Sequence, residues 1–252
     1  MVAHEGLMAG KVAVVTGGGG GIGSAICRRL AESGAQVVLT FRKNEEKARD
    51  VFESLLGEGH MMLQSLVDDN SAQARLAETL VEKYGTLDLL VNNAGVTRPV
   101  PHDDLDTLDD DLIDEIFRVN WRGAFASIRA LKPLLAIDGG GVVVNISSLA
   151  GVTGVGSNVA YCASKAAMNA MTISLGRALG PAIRVLSVSP GWVLGDYAKR
   201  VAPAYLQEQV DRTPLDRLAT PEDVAQAVLA AATMLKFTTG SIIPVDGGRM
   251  FR

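Results

Sequence analysis

Cysteine is nearly missing from this chain: Cys27 and Cys162 are alone among 252 residues, with no Cys-x-x-Cys pair and no Cys/His cluster. A disulfide framework is thereby excluded, and reduced structural thiols without a metal site are expected, as in a cytoplasmic protein. A basic excess is missing too. The formal net charge is -4, which leaves no electrostatic footprint for nucleic acid. No apolar run reaches the roughly eighteen residues that would suggest a membrane span. Met1 to Gly10 carries His4 and Glu5 where a signal peptide would have an apolar core, so it reads as a flexible leader. Linkers, repeats and low-complexity tracts are also absent, and residues 11–252 are expected to form one domain.

What the chain has is apolar residues (48%) and 27 glycines, enough to bury a large core in one domain. Short apolar runs alternate with longer amphipathic segments. Strands are expected near Val12–Val15, Val37–Phe41, Met61–Leu66, Leu87–Val91, Val142–Ser147, Ile183–Val188 and Ser241–Val245, with helices between them. That alternation implies an α/β fold, a doubly wound seven-stranded parallel sheet with right-handed crossovers and helices on both faces. The acidic residues Asp103, Asp104, Asp106 and Asp109 to Asp111 read as a solvated helix start.

Two segments carry chemistry. The first apolar run, Lys11 to Thr16, leads directly into Gly17-Gly-Gly-Gly-Gly21-Ile22-Gly23, and a helix follows from about Ser24 to Glu32. Glycines at a strand-to-helix turn let backbone N–H groups approach a pyrophosphate at the positive end of the helix dipole. The second is Tyr161-Cys-Ala-Ser-Lys165, with Ser148 thirteen residues before the tyrosine. Residues four apart on a helix share a face. A phenol titrates near pH 10 unaided, so it needs a fixed positive charge to work as an acid-base group at neutrality, and Lys165 would supply one. Ser148 follows the run Val142 to Val144, where a strand delivers a hydroxyl to the sheet edge. Three groups then converge on one substrate oxygen.

In order and spacing these motifs resemble the short-chain dehydrogenase/reductase superfamily over essentially the whole chain. Thr16-Gly17-x-x-x-Gly21-Ile22-Gly23 is similar to its cofactor loop, Asn92-Asn93-Ala94-Gly95 to its fourth-strand motif, and Val119-Asn120 to its helix asparagine. Ser148, Tyr161 and Lys165 match its catalytic trio, Pro190-Gly191 its nicotinamide loop and Val245-Asp-Gly-Gly248 its C-terminal strand. The resemblance implies a Rossmann fold and hydride exchange between a nicotinamide and a carbonyl or secondary alcohol. Tyr161 would give and take the proton, Lys165 would hold the nicotinamide ribose and lower the tyrosine pKa, and Ser148 would polarise the carbonyl. Asn120 would hold a water linking Lys165 to solvent, or else bond to a neighbouring backbone carbonyl, whereas Asn92 reads as a tie between strands.

Gly17, Gly19, Gly21, Ile22, Gly23, Phe41, Arg42, Lys43, Val67, Asn93, Ala94, Gly95, Pro190, Gly191 and Val193 are the expected cofactor contacts, together with Tyr161 and Lys165. Members specific for NAD place an acidic residue at the end of the second strand, and here Phe41-Arg42-Lys43 stands instead. Two basic residues suit a 2'-phosphate, so NADP(H) is preferred, with NAD(H) or dual use left open and mere strand-end decoration the alternative. Two positions depart from the family pattern. Leu66 replaces an aspartate near the adenine, leaving that contact to backbone groups. Gly195 replaces a threonine that reaches the carboxamide, with Trp192 or Asp196 as substitutes.

The substrate is less legible. Nearest in appearance are bacterial 3-oxoacyl reductases and sugar or polyol dehydrogenases. The places where carrier-protein reductases carry basic residues read Pro133 to Gly141 and Gly180 to Ile183, uncharged or acidic. Val152 to Asn158 and Trp192 to Val201 are expected to line a pocket for a modest ketone or alcohol. A homotetramer is expected, with Ala163, Ala166, Ala167, Ala170 and Met171 on one packing helix and Val245 to Arg252 across another axis. A nucleotide-binding regulator without turnover is the alternative from another class.

Overall fold

The computed structural model describes residues 6–137, 139–195 and 202–251. Seven strands form one parallel sheet: β1 (Val12–Val15), β2 (Gln36–Phe41), β3 (Met61–Gln64), β4 (Leu89–Asn92), β5 (Gly141–Ile146), β6 (Ile183–Pro190) and β7 (Ile242–Val245). Their order is β3-β2-β1-β4-β5-β6-β7. These runs become strands because β-branched residues suit a pleated surface covered on both sides. Along β1, Ala13 and Val15 belong to one core with Ile26, Leu30, Val224 and Val228, whereas Val12 and Val14 belong to the other with Leu76, Leu80, Leu131 and Met168. A period of two thus divides one strand between two cores.

Helices α1 (Gly21–Glu32) and α9 (Pro221–Thr233) supply the first of those cores. Helices α3 (Asn70–Lys83), α5 (Ala124–Leu135) and α7 (Val159–Ala178) supply the second. The remaining helical segments are α2 (Glu45–Glu53), α4 (Asp110–Phe117), α6 (Ala150–Thr153), α8 (Pro203–Asp211), a π-helical turn (Arg118–Gly123) between α4 and α5, and a closing 3₁₀ turn (Arg249–Phe251). The strand order reverses at β1, which pairs with β2 on one side and β4 on the other. A crevice at the carboxyl ends of strands on either side of such a point is where ligands bind in doubly wound sheets.

The leader differs from expectation. Met8 is buried in the first core, its N–H donates to the Ser33 carbonyl at 2.8 Å, and residues 6–10 fold against the domain. Residues 1–5 lie outside the described residues.

Below the crevice a buried polar chain fixes α7 against the sheet. Asn92 Nδ2 donates to Asn145 Oδ1 at 2.9 Å, Asn145 Nδ2 donates to Thr172 Oγ1 at 2.9 Å, and that hydroxyl donates to the Met168 carbonyl at 2.9 Å. Ser147 Oγ donates to Asn169 Oδ1 at 2.7 Å one turn nearer the crevice. Strands β4 and β5 are therefore tied to each other and to the helix. Replacing Asn145 with Ala would leave the buried Asn92 amide without its acceptor and the buried Thr172 hydroxyl without its donor, its bond to the Met168 carbonyl remaining. We expect a loss of about 2 to 4 kcal/mol in urea unfolding, and wild-type stability in that variant would show that the chain is not a structural tie.

Candidate active site

Helix α7 begins where it does because the Asn158 side chain caps it: Oδ1 accepts from the Tyr161 N–H at 2.6 Å. Nδ2 of the same residue donates to the Arg98 carbonyl at 2.8 Å, so the cap also anchors the loop after β4. Tyr161 and Lys165 follow one turn apart in an alanine-rich, strongly helical stretch. Gly151 of α6 lies so close that an added Cβ would stand 2.6 Å from the Lys165 carbonyl carbon. Helices α6 and α7 therefore pack backbone to backbone, and Ser148, two residues beyond β5, faces the tyrosine.

Lys165 is 5% exposed, and its Nζ donates to the Ile146 carbonyl at 2.8 Å while standing 5.7 Å from the Tyr161 ring centroid. Burial lowers its pKa to about 8. Burial also pushes the Tyr161 phenol above its ordinary range, and a hydrogen bond with Ser148 pulls it partly back. The expected lowering of the tyrosine by Lys165 is thus not the balance in the protein alone. Ser148, Tyr161 and Lys165 do meet at one place.

Asn120 sits in the π-helical turn with its side chain fully buried. Its Oδ1 accepts from the Val96 N–H at 2.8 Å, and its Nδ2 donates to the Val96 carbonyl at 3.1 Å and to Ser164 Oγ at 3.2 Å. The bond to a neighbouring backbone carbonyl is therefore present. A π turn widens the helix and loosens its hydrogen-bond ladder, a feature frequent at functional sites.

At the other end of the crevice, Gly17 has φ +67°, a left-handed conformation that glycine adopts freely. An added Cβ on Gly23 would lie 2.4 Å from the Gly17 carbonyl oxygen and 2.6 Å from Asn93 Nδ2. The turn closes because that position has no side chain. Asn93 Nδ2 donates to the Thr16 carbonyl at 2.9 Å and the Gly17 carbonyl at 3.1 Å, so the Asn93 side chain holds the loop. Thr16 Oγ1 accepts from the N–H groups of Asn93 and Ala94, both at 3.0 Å. Thr16, which opens the glycine motif, and Asn158 are positioning residues, and motif reading misses the role of Asn158 although an asparagine three residues before the tyrosine is a readable cap signal.

The loop fits a nucleotide pyrophosphate. Gly21 faces open space, α1 has no side-chain cap at its N-terminus, and its first turn holds no acidic residue. Free N–H groups and the helix dipole are thus left for an anion. Gly19 packs against Ala48, where an added Cβ would lie 3.1 Å from its Cα. Arg42 and Lys43 are exposed at the end of β2, as expected. The Phe41 side chain is 8% exposed and part of the first core, which leaves its backbone at the strand end. Val67 packs under the π turn, where a Cβ on Gly123 would meet its Cγ2 at 2.6 Å. Pro190 ends β6, Gly191 donates to the Val245 carbonyl at 3.1 Å, and Val193 pairs with Ala219.

Gly156 lies beside the phenol, since an added Cβ would be 3.3 Å from Tyr161 Cδ1. Around it Val152, Val155 and Val159 are exposed. Trp192 and Tyr205 meet edge to face at 5.6 Å and join the loop after β6 to α8. Residues 196–201 of the expected pocket wall, Asp196 among them, lie outside the described residues.

Residues 17–249 match a family model described as Enoyl-(Acyl carrier protein) reductase. The chain is 39% identical over 241 residues to a protein named as ketoacyl reductase 2 of the granaticin polyketide synthase of Streptomyces violaceoruber, covering 94% of this chain and 95% of that one. It is 33% identical over 248 residues to the 2,5-dichloro-2,5-cyclohexadiene-1,4-diol dehydrogenase of Sphingobium indicum, with 96% of each covered. The crystal structure of a short-chain dehydrogenase/reductase (glucose/ribitol dehydrogenase) from Brucella melitensis superposes with a TM-score of 0.89 at 28% identity, over 97% of this chain and 98% of that one. The chain belongs to the short-chain dehydrogenase/reductase superfamily. As a member it is a nicotinamide-dependent oxidoreductase acting on a small molecule, with the superfamily's Rossmann fold. No helix among the described residues is long and apolar enough to cross a membrane.

For this superfamily fold the closeness of Gly23 to Gly17 has a measurable consequence. A methyl at Gly23 must push the loop outward, an overpacking strain of about 1 to 3 kcal/mol. We expect Gly23→Ala to weaken NADPH and NADH binding by about tenfold or more in fluorescence titration, on the scale of about 1.4 kcal/mol per decade. Unchanged affinity would show that the close approach does not shape the nucleotide site.

Proposed function

We propose that this protein is an NADP(H)-dependent oxidoreductase that interconverts a carbonyl and a secondary alcohol, with Tyr161 as the acid-base residue and a small ketone or 3-oxoacyl compound as substrate. The observation that carries the reading is the convergence of Ser148, Tyr161 and Lys165 beside an open crevice. Bound nicotinamide would supply the hydride to the carbonyl carbon, or accept it in the oxidative direction. Residues of the chain do the rest. The Ser148 hydroxyl and the Tyr161 phenol donate to the substrate oxygen, and these bonds strengthen as that oxygen gains negative charge. Tyr161 then gives up its proton, which its raised pKa keeps in place at neutral pH until the oxygen becomes basic enough to take it.

Lys165 stays cationic below about pH 8 and favours the transient phenolate. It would also hold the nicotinamide ribose. We assign Asn120 to the relay that restores the proton, through a water on a backbone carbonyl of the π turn, because its own amide is already taken up by Val96 and Ser164. Arg42 and Lys43 support the 2'-phosphate assignment, since both are exposed and no carboxylate stands in the strand-end sequence Phe41-Arg42-Lys43. The ketoacyl reductase relative favours a 3-oxoacyl substrate, and the diol dehydrogenase relative favours a cyclic alcohol. The apolar side chains at Val152, Val155 and Trp192 accept either body. A cytoplasmic homotetramer completes the proposal, supported by exposed Ala163, Ala166 and Ala170 on α7, whereas Met171, expected on the same face, is buried in the second core. Sedimentation at micromolar concentration should show the tetramer, and a monomer alone would reject it.

NADPH oxidation over a panel of ketones, 3-oxoacyl thioesters and diones tests the reaction. Tyr161→Phe should lose about 10² to 10⁴-fold in turnover, the usual range for an acid-base group, with NADPH affinity nearly unchanged. Retention of more than about a tenth of wild-type turnover would contradict the assignment on that scale.

A further inference from the structure

Arg42 already holds an anion, and that anion is part of the protein. Glu115 Oε1 stands 3.4 Å from Arg42 Nη1 and 3.5 Å from Nη2, so both terminal nitrogens of the guanidinium converge on one carboxylate oxygen. The two residues are 73 positions apart and meet through the fold. Arg42 follows the end of β2, where the Gln64 amide donates to its carbonyl at 3.0 Å and fixes its backbone. Glu115 comes from the last turn of α4. One turn further, Arg118 Nε donates to Asp68 Oδ2 at 3.0 Å, in the loop after β3. Two ion pairs thus run from the α4 and π-turn segment to the loops after β2 and β3, the edge of the crevice that takes the adenosine end of a nucleotide in a doubly wound sheet.

A phosphate on the ribose 2'-oxygen would seek the same guanidinium fork that Glu115 now occupies. The carboxylate must release Arg42 before the phosphate can take its place. A nucleotide without that phosphate makes no such demand. We propose that Glu115 is an internal competitor for Arg42 and acts as a specificity-determining residue that weakens 2'-phosphonucleotide binding, an inference that rests on the NADP(H) reading above. Because the pair is partly exposed, its strength is that of a surface ion pair, about two- to fivefold in affinity. It is also sensitive to salt.

Calorimetric titration of the whole protein with adenosine 2',5'-bisphosphate and with adenosine 5'-monophosphate separates the two claims without turnover. The NADP(H) reading predicts that wild-type protein binds the bisphosphate more tightly, and equal affinity for the two ligands would overturn that reading and this inference with it. Given that preference, Glu115→Gln and Glu115→Ala should each tighten the bisphosphate by about two- to fivefold and change the monophosphate by less than about twofold. The gain should shrink in 1 M salt, where the Debye length falls to about 3 Å. In an Arg42→Ala background the same Glu115 substitutions should have little effect, because the residue acts through Arg42. Unchanged or weakened bisphosphate binding in both Glu115 variants, or a full gain that persists without Arg42, overturns the competitor role and leaves the NADP(H) reading standing.

Discussion

The buried ammonium of Lys165 is the constraint around which the rest of the site is arranged. A charge removed from water is costly unless it is paired and hydrogen-bonded, and here Nζ donates to the Ile146 carbonyl with an aromatic ring beside it. Its folded pKa of about 8 lies below the unfolded value of 10.5. The unfolded chain therefore binds more protons between those two values, and stability rises with pH across that window. At neutral pH the lysine destabilises the fold by an amount on the order of 3 kcal/mol, at about 1.4 kcal/mol per pKa unit. A chain that keeps such a group, in a site where local rules are broken, has a use for it. The use proposed above is proton transfer at the neighbouring phenol.

That position is held from several directions. The cap at Asn158 sets the start of α7, and the Asn92–Asn145–Thr172 chain fixes its middle against β4 and β5. The backbone contact with Gly151 presses α6 onto the turn that carries Lys165. Across the crevice, Thr16 and Asn93 lock the glycine turn to the end of β4. The Tyr161 end and the glycine-turn end of the crevice are thus joined by polar ties that share strand β4. A change in one tie should be felt at both ends.

Much of this was legible in the sequence. Runs such as Val12 to Val15 and Val142 to Val144 announce buried parallel strands, and the observed strand ends fall within about two residues of the expected ones because apolar runs mark burial more sharply than they mark ends. Tyr161 and Lys165 were readable because helical spacing fixes their relation. Other features depend on contacts that spacing does not encode. Phe41 turns inward although its neighbours at the strand end face solvent, and Met8 docks a segment whose composition reads as loose. The pairing of Arg42 with Glu115 joins the residue after β2 to α4, which only the three-dimensional fold brings together. Asn93 matches a nucleotide motif, yet its amide is bonded to the loop it supports.

If Lys165 is buried in its charged form beside Tyr161, its titration should stand apart from that of the exposed lysines. A carbon-13 NMR titration of the lysine side chains, with the Lys165 signal assigned by its loss in Lys165→Met, measures this directly. The account predicts an apparent pKa near 8 for Lys165, well below the ordinary lysine value of 10.5. A Lys165 signal that titrates together with the others would contradict it.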